Sequence, residues 1–226
     1  MAVAQINEGF IDLIKSRRST RGYLPQPAGQ SLLDSIFTTA QTAPSSCNSQ
    51  PWKVGVVSGE ARDRLQEKLE TAVMTGDFQM DFAFDGTYHG VYKERQHDAA
   101  AQLYTAMGIE RTDKDKRNAA FMRNFAFFDA PHVAFMFLPE EFGIREAADL
   151  GMYAQNLMLS IRAHGLASCP MTALSFNAPA VREELGLDDS HKLMFGIVFG
   201  YEDEEHDANK TRIGRADLAD TITFAE

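Results

Sequence analysis

The sequence predicts one globular domain that mixes helices and strands, of the α+β or α/β class. Its 226 residues are 44% hydrophobic and 24% charged, which is ordinary for a folded protein. Segments with apolar residues three and four positions apart cover more of the chain than short continuous apolar runs, so helices should dominate. No internal repeat or low-complexity tract divides the chain, and a single domain over 1–226 is expected.

The N-terminal half is predicted to begin with two helices separated by an extended segment. The helices, over 5–16 and 28–42, each carry an apolar stripe. Pro25 and Pro27 exclude a helix between them, because proline lacks an amide hydrogen and fixes φ. The elements expected next are a polar loop over 44–51, a strand over 52–57, a helix over 61–75 and a long aromatic-rich loop over 76–90.

The C-terminal half carries the strongest helical signal, over 144–164. Small residues dominate its stripe, which would allow another backbone to approach closely. The stripe consists of Ala147, Gly151, Ala154, Met158 and Ile161. The other elements expected in this half are helices over about 91–107, 113–126 and 177–185, strands over 132–138, 166–171 and 193–201, and an extra strand over 221–224.

The charge balance excludes several classes of partner. Lys and Arg number 22 against 32 Asp and Glu, giving a net charge of −10. Such acidity argues against nucleic acid or an anionic membrane as the main partner. No secretory signal, membrane span or metal-ligand spacing is recognisable. Cys47 and Cys169 form no C-x-x-C pair, so a cytoplasmic protein with free thiols is expected.

A basic cluster near the N-terminus is the first candidate binding feature. It reads Arg17-Arg18-Ser19-Thr20-Arg21 and falls in the extended segment. Residues two apart in an extended chain point to the same side, so Arg17, Ser19 and Arg21 should converge. Two guanidinium groups and a hydroxyl suit a phosphate group, because arginine donates paired, charge-assisted hydrogen bonds.

A second basic cluster lies near the other end of the chain. Lys210-Thr211-Arg212, followed by Arg215, has the same two-residue spacing. If the clusters met, several cations would surround one small dianion such as a phosphomonoester, whereas nucleic acid needs a longer stripe. The alternative is that both clusters are solvated surface charge.

A polar loop between prolines is the third feature. Residues 44–52 are rich in hydroxyl and amide groups, which form either an ordinary turn or a set of donors for a heteroaromatic ligand. Trp52 should anchor the start of the following strand. Neither the glycine-rich G-x-G-x-x-G pattern, the P-loop nor the G-x-S-x-G elbow occurs, so those nucleotide and nucleophile sites are not expected.

Taken in order, these motifs resemble the FMN-dependent nitroreductase family. The resemblance extends nearly end to end, and the order and spacing of the motifs are specific where each alone is weak. The matching segments are 17–21, the Ala43–Trp52 loop, the Arg123-Asn124-Phe125-Ala126-Phe127-Phe128-Asp129-Ala130-Pro131 run, Gly165–Pro170 and 210–212.

The resemblance implies a nitroreductase-like fold with a central mixed β-sheet flanked by helices. It also implies an intertwined homodimer, with the 144–164 helix near the dimer centre. The tail, about 202–226, would be exchanged across the dimer and add a strand to the partner. FMN would lie at the interface, so each site would use both chains.

The resemblance also implies which residues bind the cofactor. Arg17, Ser19 and Arg21, with Arg18 beside them, would hold the phosphate and ribityl end, and Lys210 and Arg212 would complete the phosphate site. The polar loop would contact the same flavin from the other subunit through Pro44, Ser45, Ser46 and Asn48. The flavin ring would be flanked by Asn124 at its pyrimidine edge and by Pro170, Met171, Thr172 and Ala173, with a backbone N–H near Thr172 facing N5.

The implied activity is NADH- or NADPH-dependent reduction of small aromatic acceptors, nitroaromatics or quinones, by a ping-pong mechanism. The flavin carries the redox chemistry, so no catalytic side chain is expected. The alternatives are a flavin-binding or storage protein without turnover, and a reductive dehalogenase or flavin-modifying enzyme on the same fold. The 76–90 loop, with Phe78, Phe82, Phe84, Tyr88 and His89, either covers the flavin or packs as a hydrophobic satellite.

Overall fold

A computed structural model describes residues 7–83 and 86–225. Helices dominate, and all seven predicted ones are present, with ends within a few residues of those expected. The helices are α1 (Glu8–Ser16), α2 (Gln30–Ala40), α3 (Gly59–Thr75), α4 (Gly90–Ala106), α5 (Lys114–Met122), α6 (Ile144–Ala163) and α7 (Ala178–Leu185). Residues 5 and 6 of the predicted first helix, and Phe84 of the aromatic loop, lie outside the described residues.

Four strands form one sheet in the order β1-β2-β4-β3. They are β1 (Lys53–Ser58), β2 (His132–Pro139), β3 (Ala167–Met171) and β4 (His191–Gly200). Each neighbouring pair is antiparallel. The expected mixed character is limited, among the described residues, to one isolated parallel bridge between Ser19 and Ser168 and another between Gln79 and Asn177.

Helices cover both faces of the sheet and bury its central strands. All but the last residue of β2 are buried, which explains its continuous apolar sequence. On one face, side chains of α3 and α7 pack against Val133, Phe135 and Phe137. On the other, α2 and α6 pack against Ala134 and Met136. The domain therefore has three layers, and the strand ends remain available for a site.

Three expectations need correction. The helix predicted over 113–126 ends at Met122, because Phe127, Phe128 and Asp129 adopt positive φ and form a tight turn. Segment 221–224 is exposed and not a strand, since a strand needs a neighbour with which to share hydrogen bonds.

The third correction concerns the small-residue stripe of α6. Ala154, Met158 and Ile161 are buried against α2 and the sheet within the same chain, and only Gly151 of the five is exposed. The stripe therefore packs mainly within its own chain.

Candidate cofactor-binding site

The extended segment after α1 is fastened to the ends of β3 and β4. The amide of Thr20 donates to the carbonyl of Ser168 at 3.1 Å, and the amide of Leu24 donates to the carbonyl of Tyr201 at 2.9 Å. Thr20 is fully buried between them. The basic cluster is thus attached to the sheet, in the extended conformation that the following prolines predicted.

Alternate residues of this segment converge as the two-residue spacing predicted. Burial raises the pKa of the Cys169 thiol on β3, and the nearby Arg21, a hydrogen bond from Ser19 and the charge of Arg17 partly oppose this rise. All three residues therefore lie on the side of the segment that faces this thiol. Arg17 and Arg21 nevertheless line different cavities, so their joint binding of one phosphate stays a prediction.

Asn209 joins the N-terminal segment to the C-terminal one. Its buried side chain accepts a hydrogen bond from the amide of Arg21 at 2.7 Å and donates to the carbonyls of Gly22 and Asp203, both at 2.8 Å. The segments cross so closely that a Cβ at Gly22 would lie 2.3 Å from Cγ of His206. This contact brings residues 210–215 next to residues 17–21.

The two basic clusters meet around one cavity of about 670 Å³. Burial lowers the pKa of Arg17, and the charge of Arg215 lowers it further. Burial likewise lowers the pKa of Arg18, whose nearest opposite charge, Glu202, counteracts this, while Arg212 adds to the lowering. The basic side chains lining the cavity are Lys15, Arg17, Arg18, Arg162, Arg212 and Arg215.

This cavity has the charge that a phosphate group requires. Among the described residues that line it, none is acidic. Within the described chain the side chain of Arg17 has no hydrogen bond or ion pair, whereas Arg18 pairs with Glu202. Concentrated positive charge that lowers the pKa of its own members is stabilised by a bound dianion. The residues present therefore fit the phosphate end of FMN.

Lys210 is not placed with the other cations of this cavity. Its ammonium donates to Asp207 at 2.7 Å, and this contact raises the lysine pKa. Arg212 does line the cavity, and its guanidinium donates to the carbonyl of Asn209 at 2.6 Å. The structure thus brings Arg212 to the N-terminal cluster and leaves Lys210 on the adjacent surface.

A second cavity, of about 210 Å³, is lined by one of the residues expected at the ring of the flavin, Asn124, but not by Pro170, Met171, Thr172 or Ala173. Arg21, Arg123 and Asn124 line it together. The Asn124 amide donates to the carbonyl of Phe121 at 2.7 Å, and Arg123 donates to the imidazole of His206 at 2.7 Å and to the carbonyl of Arg21 at 3.3 Å. This cluster offers donors to the carbonyl-rich edge of a heteroaromatic ring.

The end of β3 presents alternating side chains. Pro170 and Thr172 are exposed, while Met171 is buried in the core between them. A short 3₁₀ turn begins at Thr172, and Ala173 within it is partly buried. Of the four residues 170–173, only Met171 therefore has its side chain buried in the core.

The polar loop lies elsewhere in the single chain. The Ser46 amide donates to Asp149 of α6 at 3.1 Å, and Ser45 accepts from the amide of Gln50 at 3.0 Å. None of Pro44, Ser45, Ser46 or Asn48 lines the cavity of the basic clusters. One chain does not assemble these two groups, which is what the resemblance implied for a site shared between subunits.

Several residues of the site carried no recognisable sequence signal. Asn209 and Arg162 belong to no motif, and their roles depend on contacts made only in the fold. Arg162 reaches the cavity from the last turn of α6 and donates to the hydroxyl of Ser16 at 3.1 Å. Gln155 lines the same cavity from the preceding part of that helix. Arg123, quoted only as part of a motif, proves to be a ring-cavity residue.

The aromatic loop is held at its base and exposed above it. Asp81 pairs with the buried Arg182 of α7 at 2.5 Å, and it also accepts from the amide of Leu193 at 2.7 Å. Phe78 touches Phe176 edge-to-face at 5.6 Å between ring centroids, yet half of it remains exposed. Phe82, Tyr88 and His89 are exposed as well, so much of the loop is not packed down as a satellite cluster.

A sheet covered on both faces, with cations at one edge and a ring-sized cavity beside them, defines a protein that binds a phosphorylated heteroaromatic cofactor. The sequence model of the nitroreductase family matches residues 14–201. Nitroreductase NfnB of Mycolicibacterium smegmatis is 44% identical over 217 residues, which are 94% of this chain and 91% of that protein. Nitrobenzene nitroreductase of Ectopseudomonas oleovorans is 32% identical, covering 94% and 95% of the two chains.

Comparison with a solved structure also indicates the nitroreductase family. The crystal structure of the FMN-dependent nitroreductase NfnB from Mycobacterium smegmatis in complex with NADPH superposes with a TM-score of 0.93. The two chains are 43% identical, and the match covers 97% of this chain and 99% of the other. The chain belongs to the nitroreductase family. The family, the fold and the oxidoreductase class implied by the sequence motifs are therefore confirmed.

Proposed function

We propose that this chain is an FMN-dependent nitroreductase that uses NADPH or NADH to reduce nitroaromatic compounds or quinones. The observation that carries the proposal is the meeting of two basic clusters, from opposite ends of the chain, around one cavity that no acidic residue lines. A small, strongly anionic ligand explains such a concentration of positive charge in a chain of net charge −10. FMN, when bound, supplies the transfer of electrons between the nicotinamide and the acceptor.

The protein's own residues bind and orient that cofactor. Arg17, Ser19 and Arg212 would bind the phosphate, with Lys210 recruited from its contact with Asp207. Arg21 and Asn124 would donate to the pyrimidine edge of the ring. The backbone at Pro170, Met171, Thr172 and Ala173 would run beside the ring, with the N–H near Thr172 directed at N5. Donors at that edge stabilise negative charge on the ring, which favours its reduction.

We further propose that the working unit is a homodimer. The polar loop carrying Pro44, Ser45, Ser46 and Asn48 would then reach the flavin bound by the other chain. Support comes from apolar side chains exposed in the single chain on α1, on α6 and in the tail, since large exposed apolar patches usually mark interfaces. These side chains are Phe10, Ile11, Ile14, Ile144, Met152, Leu218, Ile222 and Phe224. The tail would gain its missing strand neighbour from the partner.

A cytoplasmic location fits this proposal. Cys47 and Cys169 are both free thiols, one exposed and one buried, and disulfides are rare in that compartment. No helix in the described parts of the chain is long and apolar enough to cross a membrane.

The proposal predicts a yellow protein whose colour bleaches when NADPH or NADH is added without oxygen. Turnover is then measured with nitrobenzene and a quinone as acceptors. A colourless protein that takes up no added FMN would refute the proposal. A yellow protein that oxidises neither nucleotide with any acceptor would indicate flavin storage, and product analysis by mass spectrometry would identify dehalogenation or flavin breakdown.

The phosphate site is tested separately with Arg17→Ala. Losing one charge-assisted contact should weaken FMN binding by about 1.5–3 kcal/mol, roughly tenfold to a hundredfold. Arg64→Ala is the matched control, because the half-exposed Arg64 lies on α3, on the other side of the sheet, where it pairs with Glu184. Equal FMN affinity in both variants would contradict the assignment of the cavity.

A further inference from the structure

A third cavity lies in the hairpin formed by α4 and α5. Its volume is about 430 Å³, and one wall is made of small apolar side chains from α4. The polar side of the cavity is formed by His97, Arg111 and Arg117, with Tyr104 between the two walls. None of the motifs that identified the family includes these four residues.

The two arginines are available for an anionic ligand. Within the described residues, neither Arg111 nor Arg117 forms an ion pair, and no acidic side chain lines the cavity. Arg117 donates one hydrogen bond, to the carbonyl of Arg111 at 3.1 Å, and its guanidinium lies 5.9 Å from the centroid of the Tyr104 ring. These contacts hold the guanidinium of Arg117 beside the backbone of Arg111, and within the described residues they leave most side-chain donors of both arginines unused.

This cavity adjoins the ring cavity of the proposed cofactor site. Tyr104 lines both cavities, and Arg21 and Asn124 line the ring cavity with it. A ligand whose reactive end lies at the flavin ring and whose remainder passes Tyr104 would bring its other end to Arg111 and Arg117. Such a ligand must be long, which describes a nicotinamide dinucleotide better than a small nitroaromatic acceptor.

We propose that Arg111 and Arg117 bind the 2′-phosphate of NADPH and thereby make this chain prefer NADPH to NADH. The inference rests on the proposed function, and it adds the choice of reductant. NADPH and NADH differ only in that phosphate, which is close to dianionic at neutral pH. Two arginines bind such a group through paired, charge-assisted hydrogen bonds. His97 adds an imidazole to the same site, and Tyr104 offers a ring on which the adenosine can stack.

The test compares both nucleotides in Arg111→Ala and Arg117→Ala, with nitrobenzene as a neutral acceptor. Each variant should lose about tenfold or more in kcat/KM for NADPH, the effect of one lost charge-assisted contact, while kcat/KM for NADH stays within twofold. Arg95→Ala is the matched control: it removes the same charge from the same hairpin, but Arg95 does not line the cavity. Arg117→Lys, which keeps the charge, should recover part of the preference.

Calorimetry supplies a readout that does not depend on turnover. Adenosine 2′,5′-bisphosphate should bind the wild-type protein at least tenfold more tightly than AMP, and this difference should disappear in Arg117→Ala. Equal use of the two nucleotides by the wild type, or equal losses for both in the variants, would overturn the inference. The inference would also be overturned if, with NADH as the reductant, the variants lost activity with 4-nitrobenzoate but not with nitrobenzene. That result would assign the two arginines to binding of the acceptor.

The two proposals fail differently. A wild-type protein that binds no FMN and oxidises neither nucleotide refutes the proposed function. A yellow, active protein whose arginine variants keep the NADPH to NADH ratio of the wild type refutes only the role of Arg111 and Arg117.

Discussion

At the scale of single residues, Asn209 decides whether the two basic clusters meet. One amide side chain bonds both the Arg21 amide and the Gly22 carbonyl, and it is buried. Asn209→Ala would leave the Arg21 amide without a partner, although the Gly22 carbonyl still accepts from the amide of Asp203 at 3.1 Å. A buried polar group left unpaired costs about 1–3 kcal/mol. We expect a lower free energy of unfolding and weaker FMN binding, measured by urea titration and by flavin fluorescence.

Asn118→Ala provides the comparison for that variant. Asn118 is exposed on α5 and makes none of the side-chain contacts that Asn209 makes. Its loss should change stability by less than about 0.5 kcal/mol. If Asn209→Ala keeps wild-type FMN affinity while losing stability, the side chain supports the fold but does not position the site.

Residue spacing predicted only part of this arrangement. The convergence of Arg17, Ser19 and Arg21 follows from the geometry of an extended chain, so it was visible in the sequence. The contact through Asn209 was not, because it joins segments nearly the full chain length apart. The same holds for Arg162, whose side chain enters the cavity from a helix that periodicity marks only as a core element.

At the scale of elements, His132 ties the start of β2 to two other segments. Its Nδ1 lies 2.5 Å from the hydroxyl of Ser58 at the end of β1, and its Nε2 accepts from the amide of Ala28 at 2.8 Å. Burial lowers the pKa of His132 below the usual 6.5. A protonated ring would turn Nε2 into a donor facing another donor, so the folded protein requires the neutral form.

The sign of the pH effect follows from this shift. Below pH 6.5 the unfolded chain binds a proton at His132 that the folded protein does not bind until lower pH, so stability falls as the pH falls. His132→Gln keeps an acceptor and does not titrate. Between pH 7.5 and 5.5 it should lose less unfolding free energy than the wild type, measured by urea titration. Identical losses would contradict this role, since His206, whose pKa is also lowered, is present in both proteins.

The ion pair of Asp81 with Arg182 fixes the base of the aromatic loop. Both side chains are nearly buried, so removing Asp81 leaves the buried charge of Arg182 with only the solvent-exposed Asp189 as an acidic partner. Asp81→Ala should lower stability by about 3 kcal/mol and raise KM for the aromatic acceptor, because the exposed aromatic side chains lose their position. Circular dichroism melts and acceptor kinetics measure the two effects.

Asp189→Ala is a control with the same arginine. Asp189 also pairs with Arg182, at 3.2 Å, but its side chain is 91% exposed and solvent screens the interaction. A similar change in both variants would mean that the buried pair does not position the loop.

Elements were predicted well where their own sequence determines them. Helices with a clear apolar stripe and the continuous apolar β2 are local patterns, and they appear close to the expected residues. The order β1-β2-β4-β3 and the all-antiparallel pairing of the named strands depend on which strands meet, which no local pattern specifies. Segment 221–224 shows the same limit, since its strand pattern has no neighbour within one chain.

At the scale of the whole molecule, a three-layer domain with an open edge suggests that the site is completed by a second chain. The cavity of the basic clusters is lined on one side by Gln155 of α6, and the exposed face of that helix continues from Gln155 to Met152 and Gly151. The polar loop that should contact the flavin is attached to the same helix through Asp149. Dimerisation and cofactor binding should therefore depend on one helix face.

Met152→Glu tests this dependence. Met152 is 40% exposed in the single chain, and placing a carboxylate in an apolar interface is costly. We expect a monomer by light scattering that has lost its yellow colour but keeps its secondary structure. Met74→Glu makes the same change on α3, at a side chain 71% exposed on the opposite layer, and should remain dimeric and yellow. A dimeric, yellow Met152→Glu protein would place the interface on another face. A carboxylate buried at position 152 without a compensating partner would have prevented the two chains from associating.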